Sequence, residues 1–139
     1  ADEIIKKLDL QPHPEGGFFR ETFRDDIKVD GRSVGTAIFF LLRAGEVSRW
    51  HKVDAAEIWH FYAGSPLKLG MAKPDNEATT HILGNNLANG ELPQHVIPAG
   101  WWQQAQSLGD WTLVGCTVSP GFEFSSFVMA EDSWEPSQK

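Results

Sequence analysis

His51 and Glu57 stand six residues apart in the stretch GEVSRWHKVDAAEIWHFYAG, which runs from Gly45 to Gly64. An unperturbed imidazole titrates near pH ~6.5, so His51 suits proton uptake and release close to neutrality. A carboxylate held near it can orient the ring or recharge it. Arg49, two residues before His51, and the more distant amide Gln103 can stabilise negative charge developing on a substrate oxygen. Together these side chains imply abstraction of a proton from a small carbonyl or sugar-like substrate, and its return.

Such groups must converge, and strands are the elements that would bring them together. Short runs rich in apolar, β-branched and aromatic residues predict strands near 17–24, 34–42, 47–53, 56–63, 67–72, 79–83, 94–97, 101–106, 111–118 and 122–130. Asp30-Gly31, Asn89-Gly90 and Pro120-Gly121 punctuate them as turns. Asp2 to Leu8 predicts a brief helix, with apolar residues at 4, 5 and 8, and the prolines of Gln11-Pro12-His13-Pro14 stop it. This pattern predicts an antiparallel all-β sandwich or barrel with a short N-terminal helix. There is no internal repeat and no linker, so residues 1–139 read as one domain.

Alternation along strands sketches the interior. With His51 inward, Arg49 and Val53 share its face, Glu57 shares a face with Trp59 and Phe61, and Gln103 shares one with Trp101 and Ala105. An apolar cavity with a few convergent polar groups is the usual form of a small-molecule site. Trp59, Phe61, Trp101, Arg49 and Gln103 are therefore the candidate substrate-binding residues, and His51 and Glu57 the catalytic ones. For the aromatic rings, plain core packing is the competing reading, because a small barrel fills its interior with large side chains. For His51 and Glu57 it is a structural hydrogen-bonded pair, since burying either group unpartnered is costly.

Other polar residues carry weaker signals. His60 has the opposite strand parity to Glu57 and points outward unless a bulge intervenes; His95 lies just before Pro98 and is close enough to rotate inward; His81 sits on a polar strand. Phe122 and Phe124 of SPGFEF read as core, with Glu123 either solvated or a second pocket carboxylate. Cys116, the one cysteine, reads as a buried inert thiol and excludes an intrachain disulfide, which fits a reducing compartment.

Composition excludes several classes. A net charge of −7 with scattered lysines and arginines argues against nucleic acid. No apolar run is long enough to span a bilayer, and the N-terminal ADEIIKKLDL lacks the regions of a signal peptide. The expectation is a cytoplasmic protein with a small-molecule ligand and with neither nucleic acid nor membrane as partner.

The spacing of Gly45, His51, Glu57 and Gly64 resembles the first motif of the cupin superfamily, and Ile97-Pro98-Ala99-Gly100-Trp101-Trp102-Gln103 is similar to the second. LQPHPEGGFFRET, WHKVDAAEIWHFY, VIPAGWWQQAQ and LVGCTVSPGFEF look like signatures of the cupin-5 group. The resemblance implies a double-stranded β-helix, the jelly-roll barrel, and a fold similar to sugar-nucleotide epimerases. It also implies pairing of two copies into a homodimer through sheets and N-terminal segments, and a place for His13 and Glu15 of HPEGG at a pocket rim or on a neighbouring subunit. In the superfamily pattern a second histidine stands at the position of Val53 and the last histidine ligand at Gln103, and the glycine that opens the second motif falls at Leu92. Valine supplies no donor and an amide is a weak ligand, so no metal and no cofactor is expected.

Three readings follow. The first is a metal-independent isomerase or epimerase with His51 as base and Glu57 beside it. The second is a metal enzyme with a reduced set of His51, Glu57 and Gln103, and the third a protein that binds a metabolite without changing it.

Overall fold

The computed structural model describes residues 1–75 and 77–130; Glu135 to Lys139, a polar run whose sequence predicts fraying, lies outside the described residues. A one-and-a-half-turn helix, α1 (Asp2–Lys7), opens the chain, with Asp2 and Glu3 in its first turn and Lys6 and Lys7 in its last. That charge order complements the helix dipole. Among the described residues thirteen strands follow: β1 (Gln11–Pro12), β2 (Phe18–Arg24), β3 (Lys28–Val29), β4 (Arg32–Ser33), β5 (Thr36–Arg43), β6 (Val47–Lys52), β7 (Ala56–Gly64), β8 (Leu67–Ala72), β9 (Thr79–Leu83), β10 (Gln94–Ile97), β11 (Trp102–Ser107), β12 (Trp111–Ser119) and β13 (Val128–Met129).

Two antiparallel sheets make the jelly roll. One has the order β1-β2-β5-β12-β7-β10, the other β13-β6-β11-β8-β9, and β3 and β4 form a separate hairpin. Asp30 and Gly31 at the tip of that hairpin both have positive φ, +52° and +81°, the geometry of a tight two-residue turn. The expected last strand over 122–130 is a correction. The backbone of Phe122 is taken by the Thr36 hydroxyl and by Arg24, a 3₁₀ turn occupies Phe124–Ser126, and only Val128–Met129 pairs with β6.

Inward rows from the larger sheet divide the interior into two zones. At one end Phe40 and Leu42 of β5, Trp59 of β7 and Val114 of β12 meet Leu67, Leu69, Leu83 and Ala105 in a close-packed core. At the other end the same strands present Thr36 and Ile38, Glu57, and Cys116 and Val118 to a cavity. The register sets this division: Cys116 stands opposite Ile38 and Trp59, and Val118 opposite Thr36 and Glu57, while Val114 stands opposite Phe40. Apolar side chains fill the first zone because burial there removes about 1.5–3 kcal/mol of unfavourable hydration for each large one.

Leu69 is fully buried in that core, whereas Ile27 is 66% exposed. Leu69→Ala is expected to destabilise the protein by about 2–5 kcal/mol in urea denaturation, and Ile27→Ala by less than about 0.5 kcal/mol. Equal effects would place the core elsewhere.

Candidate functional site

A cavity of about 390 Å³ opens at the second zone of the barrel. Its polar lining includes His13 and Glu15 from the segment before β2, His51 from β6 and Glu57 from β7; its apolar wall includes Phe19, Val53, Phe122, Phe124 and Phe127. Arg20, Glu21 and Arg24 of β2 also border it. His51 and Glu57, expected to converge, thus stand on one cavity from opposite sheets. They do not hold each other, however. Each has a different partner.

A bulge in β6 decides what accompanies His51. Gln103 of β11 pairs with His51 and Ala105 pairs with Ser48, so β6 spends three steps where β11 spends two. The extra residue resets the alternation. Ser48 and His51 therefore both point inward, and Arg49, expected beside His51, has an exposed side chain. What Arg49 gives the site is backbone: its N–H donates to the Glu15 carbonyl at 2.8 Å, and its carbonyl accepts His51 Nδ1–H at 2.6 Å. The Ser48 hydroxyl donates to Glu15 Oε2. Phe127 stacks on the His51 ring, with centroids 5.3 Å apart.

Glycine lets the N-terminal segment come this close. A Cβ on Gly16 would lie 2.2 Å from the Val47 carbonyl oxygen, and its φ of +109° is one that side chains disfavour. His13 and Glu15, expected from the family resemblance at a pocket rim or on a neighbouring subunit, line the cavity of their own chain and are buried there. Their signal was present in HPEGG, a histidine and a carboxylate followed by two glycines. The Phe122 and Phe124 rings, read as core, line the cavity instead, because the chain turns at Phe124 and does not continue as a strand.

The remaining expected binding residues are not among the cavity's lining. Trp59 is one inward row deeper than Glu57, in the core, and Gln103 is fully buried between them. Trp59 Nε1–H donates to Gln103 Oε1 at 2.7 Å, and Gln103 Nε2–H donates to Glu57 Oε1 at 2.8 Å. Phe61 and Trp101 pack half-buried against the core, Trp101 with the Lys73 ammonium 5.7 Å from its ring centroid. Phe61 stands beyond Trp59 at the packed end of β7, and Trp101 lies in the turn just before β11, outside the cavity lining. His60 meets Thr117 on the outer face, His95 stacks on His81 with centroids 4.2 Å apart, and Glu123 lies 3.8 Å from Arg32.

Burial sets the protonation of the site. Desolvation pushes Glu57 up to about 7, against the hydrogen bonds from Gln103 and Cys116 that favour its charged form. Desolvation raises Glu15 well above the carboxylate range, helped by the neighbouring Glu57. It holds His51 down to about 4 against the opposing bond to the Arg49 carbonyl. It holds His13 down to about 4 as well, with His51 adding to the effect. The Cys116 thiol, buried beside Glu57, is raised well above its ordinary value and stays protonated.

A divalent metal needs three or four converging donors, and the residues present do not fit one. Gln103 spends its amide oxygen on Trp59 and its amide nitrogen on Glu57, and Val53 has no donor. Among the described residues, no group of three or more histidine, cysteine, aspartate or glutamate side chains is arranged to hold an ion.

The raised carboxyl of Glu57 has a measurable consequence. Its folded-state pKa of about 7 exceeds the ordinary 4.5, so folding binds a proton that the unfolded chain releases. Stability from this group is present below about pH 4.5 and is lost as pH rises through about 7. The depressed His13 and His51 act in the opposite sense, losing stability as pH falls from 6.5 towards about 4. Their share cancels when wild type is compared with Glu57→Gln. The variant is expected to gain roughly 2–3 kcal/mol relative to wild type between about pH 5 and pH 8 in urea denaturation. A constant difference would refute the raised carboxyl.

Residues 2–130 match the family model Cupin_5, described as cupin superfamily (DUF985). A crystal structure of protein SO0799 from Shewanella oneidensis is 44% identical, covering 94% of this chain and 84% of that one, with a TM-score of 0.90. A hypothetical protein from Leishmania major is 32% identical over 91% of this chain and 85% of its own, with a TM-score of 0.86. The uncharacterized protein YML079W of Saccharomyces cerevisiae is 26% identical over 94% of this chain and 76% of its own length. Motif spacing, sheet order and the match over nearly all the described residues agree: the chain belongs to the Cupin_5 family of the cupin superfamily.

Proposed function

We propose that the cavity binds a small carbonyl or sugar-like molecule and moves a proton on and off a carbon next to its carbonyl, as an isomerase or epimerase. One observation carries this reading: two buried titratable groups, each fixed by hydrogen bonds, face the same cavity from opposite sheets. Groups on opposite walls suit removal of a proton from one face of a carbon and delivery to the other.

The roles differ from those the spacing suggested. Glu57, with a pKa of about 7, is ionised in part of the population at neutral pH and matches the requirement for a general base. His51 keeps Nδ1–H on the Arg49 carbonyl and turns Nε2 towards the Glu15 carboxyl, which lines the same cavity. Proton abstraction by Glu57 leaves an electron pair that moves onto the substrate carbonyl oxygen. Return of a proton to carbon from His51 Nε2, which must first take one up because the resting proton is held on Nδ1, restores the carbonyl with inverted configuration. The aromatic wall of Phe19, Phe122 and Phe127 suits the carbon faces of such a ligand and keeps water from the reacting carbon.

The test is deuterium wash-in. Protein in heavy water, offered a panel of aldoses, ketoses and hydroxyketones, is expected to exchange a hydrogen next to the carbonyl of at least one compound, read by proton NMR. Exchange should rise with pH through about 7, as Glu57 ionises. Glu57→Gln and His51→Gln should each slow it about 100-fold or more. Exchange that survives both substitutions sinks the reading. A compound retained without exchange would make the protein a metabolite carrier instead.

A further inference from the structure

Two imidazoles in the cavity have their tautomers fixed by the main chain. A backbone N–H only donates, so the 3.0 Å bond from the Glu15 N–H to His13 Nδ1 leaves the His13 proton on Nε2. A carbonyl only accepts, so the 2.6 Å contact with the Arg49 oxygen puts the His51 proton on Nδ1. Both unprotonated ring nitrogens lie near one carboxyl group, that of His13 already accepting from the Glu15 N–H and that of His51 without such a donor. His13 Nδ1 is 3.4 Å from Glu15 Oε1, and His51 Nε2 is 3.5 Å from Glu15 Oε2.

An ionised Glu15 would set its lone pairs against that of His51 Nε2, with the Ser48 hydroxyl as a side-chain donor to Oε2; the lone pair of His13 Nδ1 is already spent on the Glu15 N–H and offers the carboxylate no proton. All three groups are buried, where opposed lone pairs are not relieved by water. One additional proton between carboxyl and imidazole removes the conflict. Neither contact is a closed hydrogen bond in the resting site, and catalytic hydrogen bonds commonly tighten only when substrate is bound.

We propose that Glu15 and His51 jointly hold one proton at neutral pH, which makes Glu15 a proton-carrying member of the site. The proton rests on the carboxyl and passes to His51 Nε2 when the imidazole acts as an acid. Among the described residues, the groups that face this pair are His13 from its own segment, Ser48 from β6, Glu57 from β7 and Cys116 from β12, with Arg20, Glu21 and Arg24 of β2 bordering the same cavity. None of the inner ones is a fixed cation that would favour an ionised Glu15. Desolvation, with Glu57 nearby, drives its carboxyl in the same direction.

In the transfer, the Glu15 O–H bond breaks as the Nε2–H bond of His51 forms, giving a carboxylate against an imidazolium. When the imidazolium gives its proton to a substrate carbon, the pair is left with one negative charge, and Glu57 has gained the proton taken from the other face. Total charge is conserved, and the reverse turnover resets both groups. This last step rests on the epimerase reading; the proton shared by Glu15 and His51 does not.

The proton can be counted without a substrate, by NMR of protein carrying carbon-13 in glutamate carboxyls and nitrogen-15 in histidine rings, between about pH 6 and pH 8. The Glu15 carboxyl signal is the one lost in Glu15→Gln, whose amide keeps the shape. It is expected to stay at its protonated position while His51 remains protonated at Nδ1. A carboxylate Glu15 facing a doubly protonated His51 would equally show the shared proton. A carboxylate Glu15 facing a bare Nε2 overturns the proposal. Should Glu15→Gln not fold, the His51 ring signals of the wild type decide between the same outcomes, because bare, hydrogen-bonded and protonated Nε2 resonate apart. Ser48→Ala, which removes a donor that favours the carboxylate, is expected to leave the proton in place; its loss there would also count against the proposal. A failed deuterium wash-in would defeat the proposed reaction and leave this proton count standing.

Discussion

Because β6 carries one residue more than β11 between Ser48 and His51, the alternation that governs a regular strand is broken at Arg49, and the site is assembled around that break. A bulge exposes backbone groups that a regular ladder would consume. Here both of the groups at Arg49 find work: the N–H ties down the segment carrying Glu15, and the carbonyl fixes the His51 ring. Without the bulge, Ser48 would face away from Glu15. The glycine at 16 completes the arrangement, since any side chain there would meet the Val47 carbonyl.

Burial then does the electrostatic work. For Glu46, nearer the surface, desolvation is the largest single influence, yet the two hydrogen bonds and the charge of Arg43 together outweigh it and lower the pKa. Glu57 accepts hydrogen bonds too, from Gln103 and Cys116, yet its pKa rises to about 7 because full burial outweighs neutral donors. Glu15 goes further in the same direction, having a like-charged neighbour in Glu57. The same loss of water depresses the two imidazoles. Four groups that would carry charge in water thus tend towards neutrality inside the barrel, and they are the groups from which proton chemistry can be built at ordinary pH.

Much of the fold was legible because it rests on local signals. Strand periodicity and the turns at Asp30-Gly31 and Asn89-Gly90 survive in the structure, as does the helix stopped before Pro12. The site was legible where it depends on inward position alone, as for His51 and Glu57. It was misplaced where position depends on an irregularity or on depth. Perfect alternation put Arg49 beside His51, and a bulge leaves no reliable mark in a single sequence. Trp59 and Phe61 do follow the inward row of Glu57, but alternation does not say how far along a barrel the cavity ends and the core begins. Glu15 was underread because it reaches the interior through a loop, where no periodicity announces burial.

Gln103 shows how the chain uses a position that holds a metal ligand in the superfamily pattern. An amide has a donor at one end and an acceptor at the other, and here both are spent, on Glu57 and Trp59. An imidazole at that position would have to give up one of these bonds to bind an ion. The amide instead links the core to the site: Trp59 packs edge-on against Phe40 with ring centroids 5.9 Å apart, and Gln103, bonded to the Trp59 indole, orients the Glu57 carboxyl. A carboxyl on the cavity wall that its neighbours hold in one orientation is positioned by the packed core behind it and not by its own side-chain freedom.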